Sequence, residues 1–285
     1  MLKKVNRRLR IETTLELRSK DAIEETIYWH TVAISLGPNR VYGSGSGVRW
    51  GGRRFIASAK HNFVSQGGQD VELANVAFFL RSATAIERVP PSEFLARNPS
   101  SFSAPQMFRF LRVFLWERDD LAAVEIDPSD ERWERMRFYE LTASLRTPRK
   151  GRTCIIGWPF ASSIVLNAAM KAMVPYAAWA SIRARPSGQL FSGSDYDPAD
   201  HFLVPWAGGP QGVKPQGISG ACFWHERCSR NQQIWSPTNV VPIGVCTHYF
   251  PKSALLKGVR VQLLIEFLKD VDLGRSVTVM EKSPS

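Results

Sequence analysis

The sequence contains little cysteine and lacks any long apolar run. Four cysteines occur in 285 residues, namely Cys154, Cys222, Cys228 and Cys246. No apolar segment follows the basic residues of the first ten positions, so no secretory signal is recognised. We therefore expect a cytoplasmic location and reduced thiols. The uncharged run Cys154–Met170 is interrupted by a glycine, a proline and an asparagine and is short for a membrane span, so no transmembrane segment is expected.

Several binding motifs are also absent. The glycine-rich stretch Gly43–Gly47 is not followed by the Gly-Lys-Ser/Thr that a phosphate-binding loop needs. There is no zinc-finger spacing, no aromatic RNA-binding motif and no repeat of a fixed period. These absences leave nucleotide binding and sequence-specific nucleic-acid recognition without a supporting motif.

Aromatic residues and positive charge are plentiful. Hydrophobic residues make up 44% of the chain and include 9 Trp and 16 Phe, enough to form a substantial core. The formal net charge is +11, and Met1–Arg10 alone carries five basic residues. This excess fits a solvated basic surface. It also fits an acidic partner, such as a nucleic acid, bound through the N-terminal arm.

Short apolar segments separated by glycine and proline predict an all-β chain. A helix is expected at Asp21–Ile27, and a second, C-terminal helix follows from the apolar spacing of Val259–Leu268. Val89–Gln106, with its prolines and serines, is expected to form a long surface loop. Val71–Arg81 is expected to contain a strand, and Trp224–Thr238 a polar loop or hairpin.

Three polar residues stand at the ends of predicted strands. Ser219 lies between glycines in Gly217-Ile218-Ser219-Gly220, where a sharp turn could expose a nucleophile. His61 directly follows a strand, and Asp120 directly precedes one. A serine needs an adjacent base to attack a carbonyl at neutral pH, and a histidine oriented by a carboxylate supplies one. Asp119 is the competing candidate for that carboxylate.

The order His, Asp, Ser in an all-β chain resembles the trypsin-like serine peptidases, which have the chymotrypsin fold. The resemblance covers roughly Thr31 to Leu268. Its motifs, each matching a family pattern in the same order, are Gly45-Ser46-Gly47-Val48, Ser58-Ala59-Lys60-His61, Asp120-Leu121-Ala122, Cys154-Ile155-Ile156-Gly157-Trp158-Pro159, Gly217-Ile218-Ser219-Gly220 and Val241-Pro242-Ile243-Gly244-Val245.

The resemblance implies two packed antiparallel β-barrels with the site between them. It divides the chain into a basic arm with a short helix (residues 1–27), a first barrel (28–140) and a second barrel with the C-terminal helix (141–285). It implies a serine endopeptidase that needs no cofactor. Ser219 would be the nucleophile, His61 the base and Asp120 the orienting acid, and the Gly217 and Ser219 N–H groups would form the oxyanion hole.

The sequence departs from the family pattern next to the serine. Ile218 replaces the aspartate that pairs with a newly cut N-terminus in family members activated by cleavage. Because isoleucine forms no ion pair, and because the chain begins well before the barrel, we expect activity without N-terminal cleavage. Ala221 and Cys222 replace a glycine and a proline, and the usual cysteine pair near the histidine is absent. These departures favour a bacterial-type intracellular member.

Four residues are candidates for binding the substrate. Val213 corresponds to the base of the pocket for the side chain before the cut bond, where an acid would select Lys or Arg. Thr247, His248 and Tyr249 correspond to the strand that receives the peptide, with Tyr249 narrowing the pocket. Thr247 is also placed to hydrogen-bond Asp120. The resemblance therefore implies no trypsin-like preference for Lys or Arg.

Other interpretations remain open. A catalytically inactive peptidase fold could serve as a binding module, or the chain could be a basic nucleic-acid-associated protein. An α/β-hydrolase would place a helix after the serine. A zinc site is conceivable because metal-capable side chains recur at short spacing, at Cys222, His225, Cys228, Cys246 and His248. The sequence does not determine the oligomeric state.

Overall fold

The computed structural model describes most of the chain, with gaps between segments. The described residues are 20–36, 41–64, 72–73, 76–79, 108–159, 163–167, 170–173, 176–182, 196–206, 214–227 and 239–281. The N-terminal arm before residue 20 and the loop predicted at Val89–Gln106 both lie outside the described residues.

The first sheet has eight strands. They are β1 (Thr31–Leu36), β2 (Val41–Trp50), β3 (Arg53–Ser58), β4 (Val76–Phe79), β5 (Phe110–Trp116), β6 (Ala122–Ile126), β7 (Tyr139–Glu140) and β16 (Val277–Glu281). The order is β16-β5-β6-β3-β2-β1-β4, and β7 pairs with β2. Gly51 and Gly52 have φ of 56° and 79°, the positive values that a two-residue hairpin turn needs, and they join β2 to β3.

The second sheet has six strands. They are β8 (Arg152–Gly157), β11 (Tyr176–Ser181), β12 (His201–Pro205), β13 (Cys222–Glu226), β14 (Val240–Phe250) and β15 (Leu255–Arg260). The order is β11-β8-β13-β14-β15-β12, with every pairing antiparallel. The strands β9 (Ser163–Asn167) and β10 (Met170–Met173) form a separate antiparallel pair.

Two α-helices among the described residues pack against the strands. The first, α1, spans residues 20–28 and agrees with the prediction at Asp21–Ile27. The second, α2, spans Val261–Leu273 and ends at Gly274, whose φ of 62° is typical of a left-handed helix cap. The prediction started this helix two residues early because it merged the apolar end of β15 with the helix.

One apolar core joins both sheets and both helices. Ile27 from α1, Phe55 from β3, Phe223 from β13 and Phe267 from α2 belong to the same buried cluster. A second cluster lies within the first sheet, around Trp133. Because the shared core fixes the two sheets against each other, residues at their facing edges can form one site.

The all-β fold with two curled sheets confirms the predicted fold class. The α/β-hydrolase interpretation is wrong, because β13 rather than a helix follows Ser219 and the described sheets are antiparallel apart from β2 with β7. The strand predicted within Val71–Arg81 corresponds to β4. The region predicted as a polar loop at Trp224–Thr238 instead begins inside β13, and residues 228–238 are outside the described range.

The strand β16 was not predicted. It follows α2 and returns to the first sheet, where Val277 pairs with Trp116 and Glu281 with Arg112 on β5. The C-terminal segment therefore adds an edge strand to the sheet formed mostly by the N-terminal half.

Candidate active site

Strand pairing brings His61 and Asp120 together. His61 lies in the 3-10 turn Lys60–Asn62, directly after β3. Asp120 lies just before β6, and the two strands are antiparallel neighbours with Ser58 opposite Ala122. Because the end of one strand meets the start of the other, the two polar residues lie at the same edge of the first sheet. Ser219 precedes β13 of the second sheet and faces them.

The three side chains form a hydrogen-bonded chain. Ser219 Oγ lies 2.8 Å from His61 Nε2, and His61 Nδ1 lies 2.7 Å from Asp120 Oδ2. The backbone N–H of His61 also donates to Asp120 Oδ1 at 3.0 Å, so the carboxylate holds both the ring and the backbone of this residue. Because a carboxylate accepts the Nδ1 proton, the Nε2 lone pair is directed at the serine hydroxyl.

The backbone around Ser219 presents two N–H groups. Ile218 N–H donates to Pro215 O at 2.9 Å, and Gly220 N–H donates to Cys246 O at 2.7 Å. Within the described part of the chain, neither Gly217 N–H nor Ser219 N–H donates to an acceptor. Gly217 has a φ of 95°, a conformation that favours glycine. The two groups predicted to form the oxyanion hole are therefore available for a ligand.

Residues of the first sheet anchor the Ser219 loop. Ser44 N–H donates to Ser219 O at 2.7 Å, and Asn62 Nδ2 donates to the same oxygen at 3.0 Å. The Ser44 hydroxyl donates to Gly217 O at 2.7 Å. Ser58 links these groups, since its hydroxyl donates to Ser44 O and accepts from Asn62. These contacts fix the position of the serine relative to His61.

Sequence reasoning missed the role of Asn62. Its side chain is fully enclosed, and a Cβ added to Gly43 would overlap it. A Cβ on Gly220 would overlap Ser44 O and Ser58 Oγ. The sequence offered no more than the position of Asn62 directly after the candidate histidine, because its contact with Gly43 of β2 exists only in the folded chain. Close packing here explains why both glycine positions lack a side chain.

Ile218 is buried where the family pattern has an aspartate. It is 0% exposed and belongs to the core shared by the two sheets, and it packs against Gly157 of β8. A buried carboxylate at this position would need a cationic partner. Apolar packing of isoleucine holds the loop without one.

Asp119 does not take the place of Asp120. Its Oδ2 lies 2.9 Å from His201 Nε2, on a different histidine. The expected hydrogen bond from Thr247 to Asp120 is wrong for the described residues, because the buried Thr247 hydroxyl has no hydrogen-bond partner among them. Both Asp120 oxygens instead contact His61.

The other predicted substrate residues are placed in part. Val213 lies outside the described residues. Thr247, His248 and Tyr249 lie on β14, with Thr247 buried, His248 exposed and Tyr249 half-buried against the core. The His248 ring centroid lies 4.8 Å from that of Phe250. Thr247 O lies 3.4 Å from Ser219 Oγ, so the last part of β14 runs beside the serine.

The candidate zinc ligands do not converge within the described part of the chain. No group of three or more metal-capable side chains occurs there. Cys222 and Cys246 are buried free thiols, and burial raises the pKa of Cys222 to about 12 and that of Cys246 further. His225 Nδ1 contacts Arg152 O at 2.7 Å, and Cys228 lies outside the described residues.

The described helices α1 and α2 are both too short or too polar to cross a membrane.

Comparison with solved structures identifies the fold. Human heparin-binding protein superposes with a TM-score of 0.53 over 91% of this chain and 96% of its own, at 13% identity. This chain has a chymotrypsin-like fold. At this identity the likeness shows the fold alone. No protein-family model matches the sequence, and the search of curated proteins found no match.

Proposed function

We propose that the protein is a serine endopeptidase that hydrolyses peptide bonds through Ser219, His61 and Asp120. The observation that carries the proposal is the hydrogen-bonded chain of 2.8 Å and 2.7 Å between these side chains, which come from two sheets. A histidine within this distance of a serine can act as its general base. The exposed face of His61 leaves room for a substrate.

Acylation begins when Ser219 Oγ attacks the carbonyl carbon of the peptide bond. His61 Nε2 takes the hydroxyl proton, and Asp120 stabilises the imidazolium that forms. The carbonyl oxygen becomes an oxyanion that accepts hydrogen bonds from the N–H groups of Gly217 and Ser219. The C–N bond then breaks, and His61 gives its proton to the departing amine.

Deacylation repeats the sequence with water as the nucleophile. His61 takes a proton from water, which attacks the acyl-enzyme, and returns it to Ser219 Oγ as the carboxylic acid product leaves. All atoms and protons are thus supplied by the peptide, one water molecule and the three side chains. No cofactor is needed.

The end of β14 supports binding of an extended peptide. Residues Val240–Val245 pair with β13, but His248–Phe250 pair only with β15 among the described strands. The start of this segment lies next to Ser219, whose Oγ is 3.4 Å from Thr247 O. An extended peptide that adds to a strand by backbone hydrogen bonds would here lie beside the proposed nucleophile. This placement supports extended polypeptide segments as the substrate.

The specificity proposed from Val213 and Tyr249 excludes a trypsin-like preference. Neither residue supplies a negative charge for Lys or Arg. Profiling with a library of peptides varied at the position before the cut bond should show apolar or small side chains ahead of Lys and Arg. A profile dominated by Lys or Arg contradicts this assignment.

An ester substrate tests the proposed activity. Hydrolysis of p-nitrophenyl acetate should show a burst of nitrophenol as the acyl-enzyme forms, followed by a slower steady rate. Ser219→Ala should abolish the burst, while the control Ser129→Ala, an exposed serine distant in the fold, should retain it. Absence of a burst in the intact protein would favour the inactive binding module instead.

The proposal includes activity without N-terminal cleavage. The buried Ile218 and the assembled hydrogen-bond chain support it, because neither depends on a free amino group near the serine. The full-length protein should react as fast as protein whose residues before α1 have been removed by limited proteolysis. A large gain of activity on trimming contradicts this part of the proposal.

We also propose an acidic partner for the basic arm, on the strength of charge. The chain carries +11, and its first ten residues contain five cations. Deletion of Met1–Arg10 should weaken binding of a fluorescent duplex DNA. If all five cations contact phosphates, the slope of log K against log salt should become shallower by about 4.5, which is about 0.9 for each lost contact. Unchanged binding and slope would show that the arm makes no such contact.

Finally, we propose that the protein is a bacterial-type intracellular enzyme that works in a reducing cytoplasm. The free thiols Cys154, Cys222 and Cys246 support it. The protein is denatured and alkylated at the moment of cell lysis, and its mass is then measured. All four cysteines should be modified. Two unmodified cysteines joined by a disulfide would contradict it.

A further inference from the structure

A second histidine–aspartate pair lies directly behind the proposed triad. Asp119 Oδ2 is 2.9 Å from His201 Nε2, and the two side chains are 12% and 8% exposed. Asp119 precedes β6 of the first sheet, and His201 is the first residue of β12 of the second. The pair therefore bridges the two sheets beneath the candidate active site.

Hydrogen bonds define the proton position on His201. Its Nδ1 accepts a hydrogen bond from Asp197 N–H at 2.8 Å, so Nδ1 carries no proton. The ring proton lies on Nε2 and is donated to Asp119. The backbone N–H of His201 donates to Asp197 O at 2.7 Å, which holds the residue itself in place. A neutral imidazole in this one tautomer satisfies every contact.

Asp119 also holds the backbone of the next residue. Its Oδ1 accepts a hydrogen bond from Asp120 N–H at 2.7 Å. Burial acts to raise the pKa of Asp119, but the hydrogen bonds from His201 and Asp120 N–H outweigh it, and the pKa is lowered. The carboxylate is therefore ionised and accepts from both donors at once. One oxygen faces the second sheet and the other fixes the residue that orients His61.

His201 belongs to the strand that leads to the nucleophile. β12 ends at Pro205, and the chain then continues to Ser219. β12 also pairs with β15, which in turn pairs with β14. The contact between Asp119 and His201 thus joins the acid of the triad to the sheet that carries the serine and the substrate strand.

We propose that Asp119 and His201 are positioning residues that hold Asp120 in register with His61. This inference rests on the proposed function of the same site. The pair acts through Asp120 and touches neither substrate nor the reacting atoms. Its loss should slow the chemical step while leaving substrate binding largely intact.

Two variants test the pair by different routes. Asp119→Asn retains an acceptor for Asp120 N–H but places an amide donor opposite the His201 Nε2 proton. If the His201 proton moves to Nδ1 instead, two donors, Nδ1–H and Asp197 N–H, face each other. One hydrogen bond is lost in either case. His201→Phe keeps a ring in the same space and removes the partner. Asp130→Asn is the matched control, a buried carboxylate between β6 and β7 that accepts from Arg109 N–H and from Arg132.

The measurement is inactivation by a fluorophosphonate–rhodamine probe over a range of concentrations, which separates the maximal rate from the probe affinity. Asp119→Asn and His201→Phe should each lower the maximal rate by about tenfold to hundredfold and change the affinity by less than about twofold. The maximal rate of the double variant should fall by no more than the two single losses combined. Asp130→Asn should lose thermal stability but keep the wild-type rate. Rates within about twofold of wild type in both folded variants would overturn the inference.

A second readout does not depend on activity. In nitrogen-15-labelled protein, the proton on His61 Nδ1 reports its hydrogen bond to Asp120. Its resonance should shift or broaden in whichever of the two variants folds, and it should stay unchanged in Asp130→Asn. An unchanged resonance in the pair variants overturns the inference. Failure of the wild-type protein to react with the probe would instead refute the proposed peptidase activity and leave this resonance test in force.

Discussion

At the scale of single residues, Asp120 is the group whose charge matters most in the proposed mechanism. It contacts both Nδ1 and the backbone N–H of His61. Asp120→Asn keeps the size of the side chain but favours the tautomer in which Nε2 carries the proton and cannot accept one from Ser219. Turnover of an ester substrate should fall by about 10⁴-fold, the loss typical of a Ser-His-Asp triad whose histidine is held in the wrong tautomer. A loss of less than about tenfold would mean that Asp120 does not orient the base.

The contact between Gly43 and Asn62 provides a residue-scale test of packing. A Cβ on Gly43 would overlap the enclosed Asn62 amide, so Gly43→Ala should destabilise the protein by about 1–3 kcal/mol. Adding Asn62→Ala removes the overlapping group. The double variant should therefore be more stable than the sum of the two single changes predicts, as measured by urea denaturation. Additive losses would show that the two residues do not meet.

At the scale of elements, α1 contributes to the core that joins the sheets. Ile27 is 0% exposed, and the Trp179 indole N–H of β11 donates to Glu24 at 2.6 Å. Ile27→Ala should cost about 2–5 kcal/mol of unfolding free energy, because it leaves a cavity in that core. Glu25→Ala on the exposed face of the same helix is the control and should change little. Equal effects of the two changes would show that α1 does not pack as described.

The elements that could be predicted from the sequence are those whose residues carry a local periodic pattern. Strands with period-two patterns ending at glycine turns, such as β2 and β3, are recognisable locally, and so is the buried face of α2. The end of β15 was merged into α2 because Val259 stands two residues before the apolar residues of the helix and fits their spacing. β16 has mostly exposed side chains, and its pairing with β5 depends on a distant part of the chain. Long-range pairing leaves no local signal.

The candidate site shows the same limit. Ser219, His61 and Asp120, which the fold brings together, could be named as candidates because each stands in a short motif at a strand end. Asn62 was missed because an isolated asparagine has no motif, and its role depends on Ser219 O across the two sheets. His201 was missed for the same reason. Groups that position others are defined by contacts between sheets, which one-dimensional spacing does not encode.

At the scale of the whole molecule, buried His30 links stability to pH. It stands after α1, with its ring centroid 5.0 Å from that of Trp224, and burial lowers its pKa to about 4 from 6.5. Above pH 6.5 the histidine is neutral in both folded and unfolded chains and contributes no pH dependence. As pH falls from 6.5 to 4, the unfolded chain binds a proton that the folded chain does not, so stability decreases by up to about 3 kcal/mol.

Urea denaturation between pH 7 and pH 4 measures this linkage. The wild-type unfolding free energy should fall with acid over that window, and His30→Phe should show a shallower fall because it cannot take up the proton. The other titrating groups remain in both proteins and serve as the internal control. Parallel curves for the two proteins would contradict the assignment of the acid sensitivity to His30.

In the whole molecule, the first sheet holds the proposed base and acid and the second holds the proposed nucleophile. Ser44, Asn62 and the Asp119–His201 pair join the two sheets. Mass spectrometry after treatment with a fluorophosphonate tests this account most directly. The account predicts one covalent adduct, located on Ser219, that disappears in His61→Ala. Absence of an adduct on the folded full-length protein, or an adduct on another residue, would contradict it.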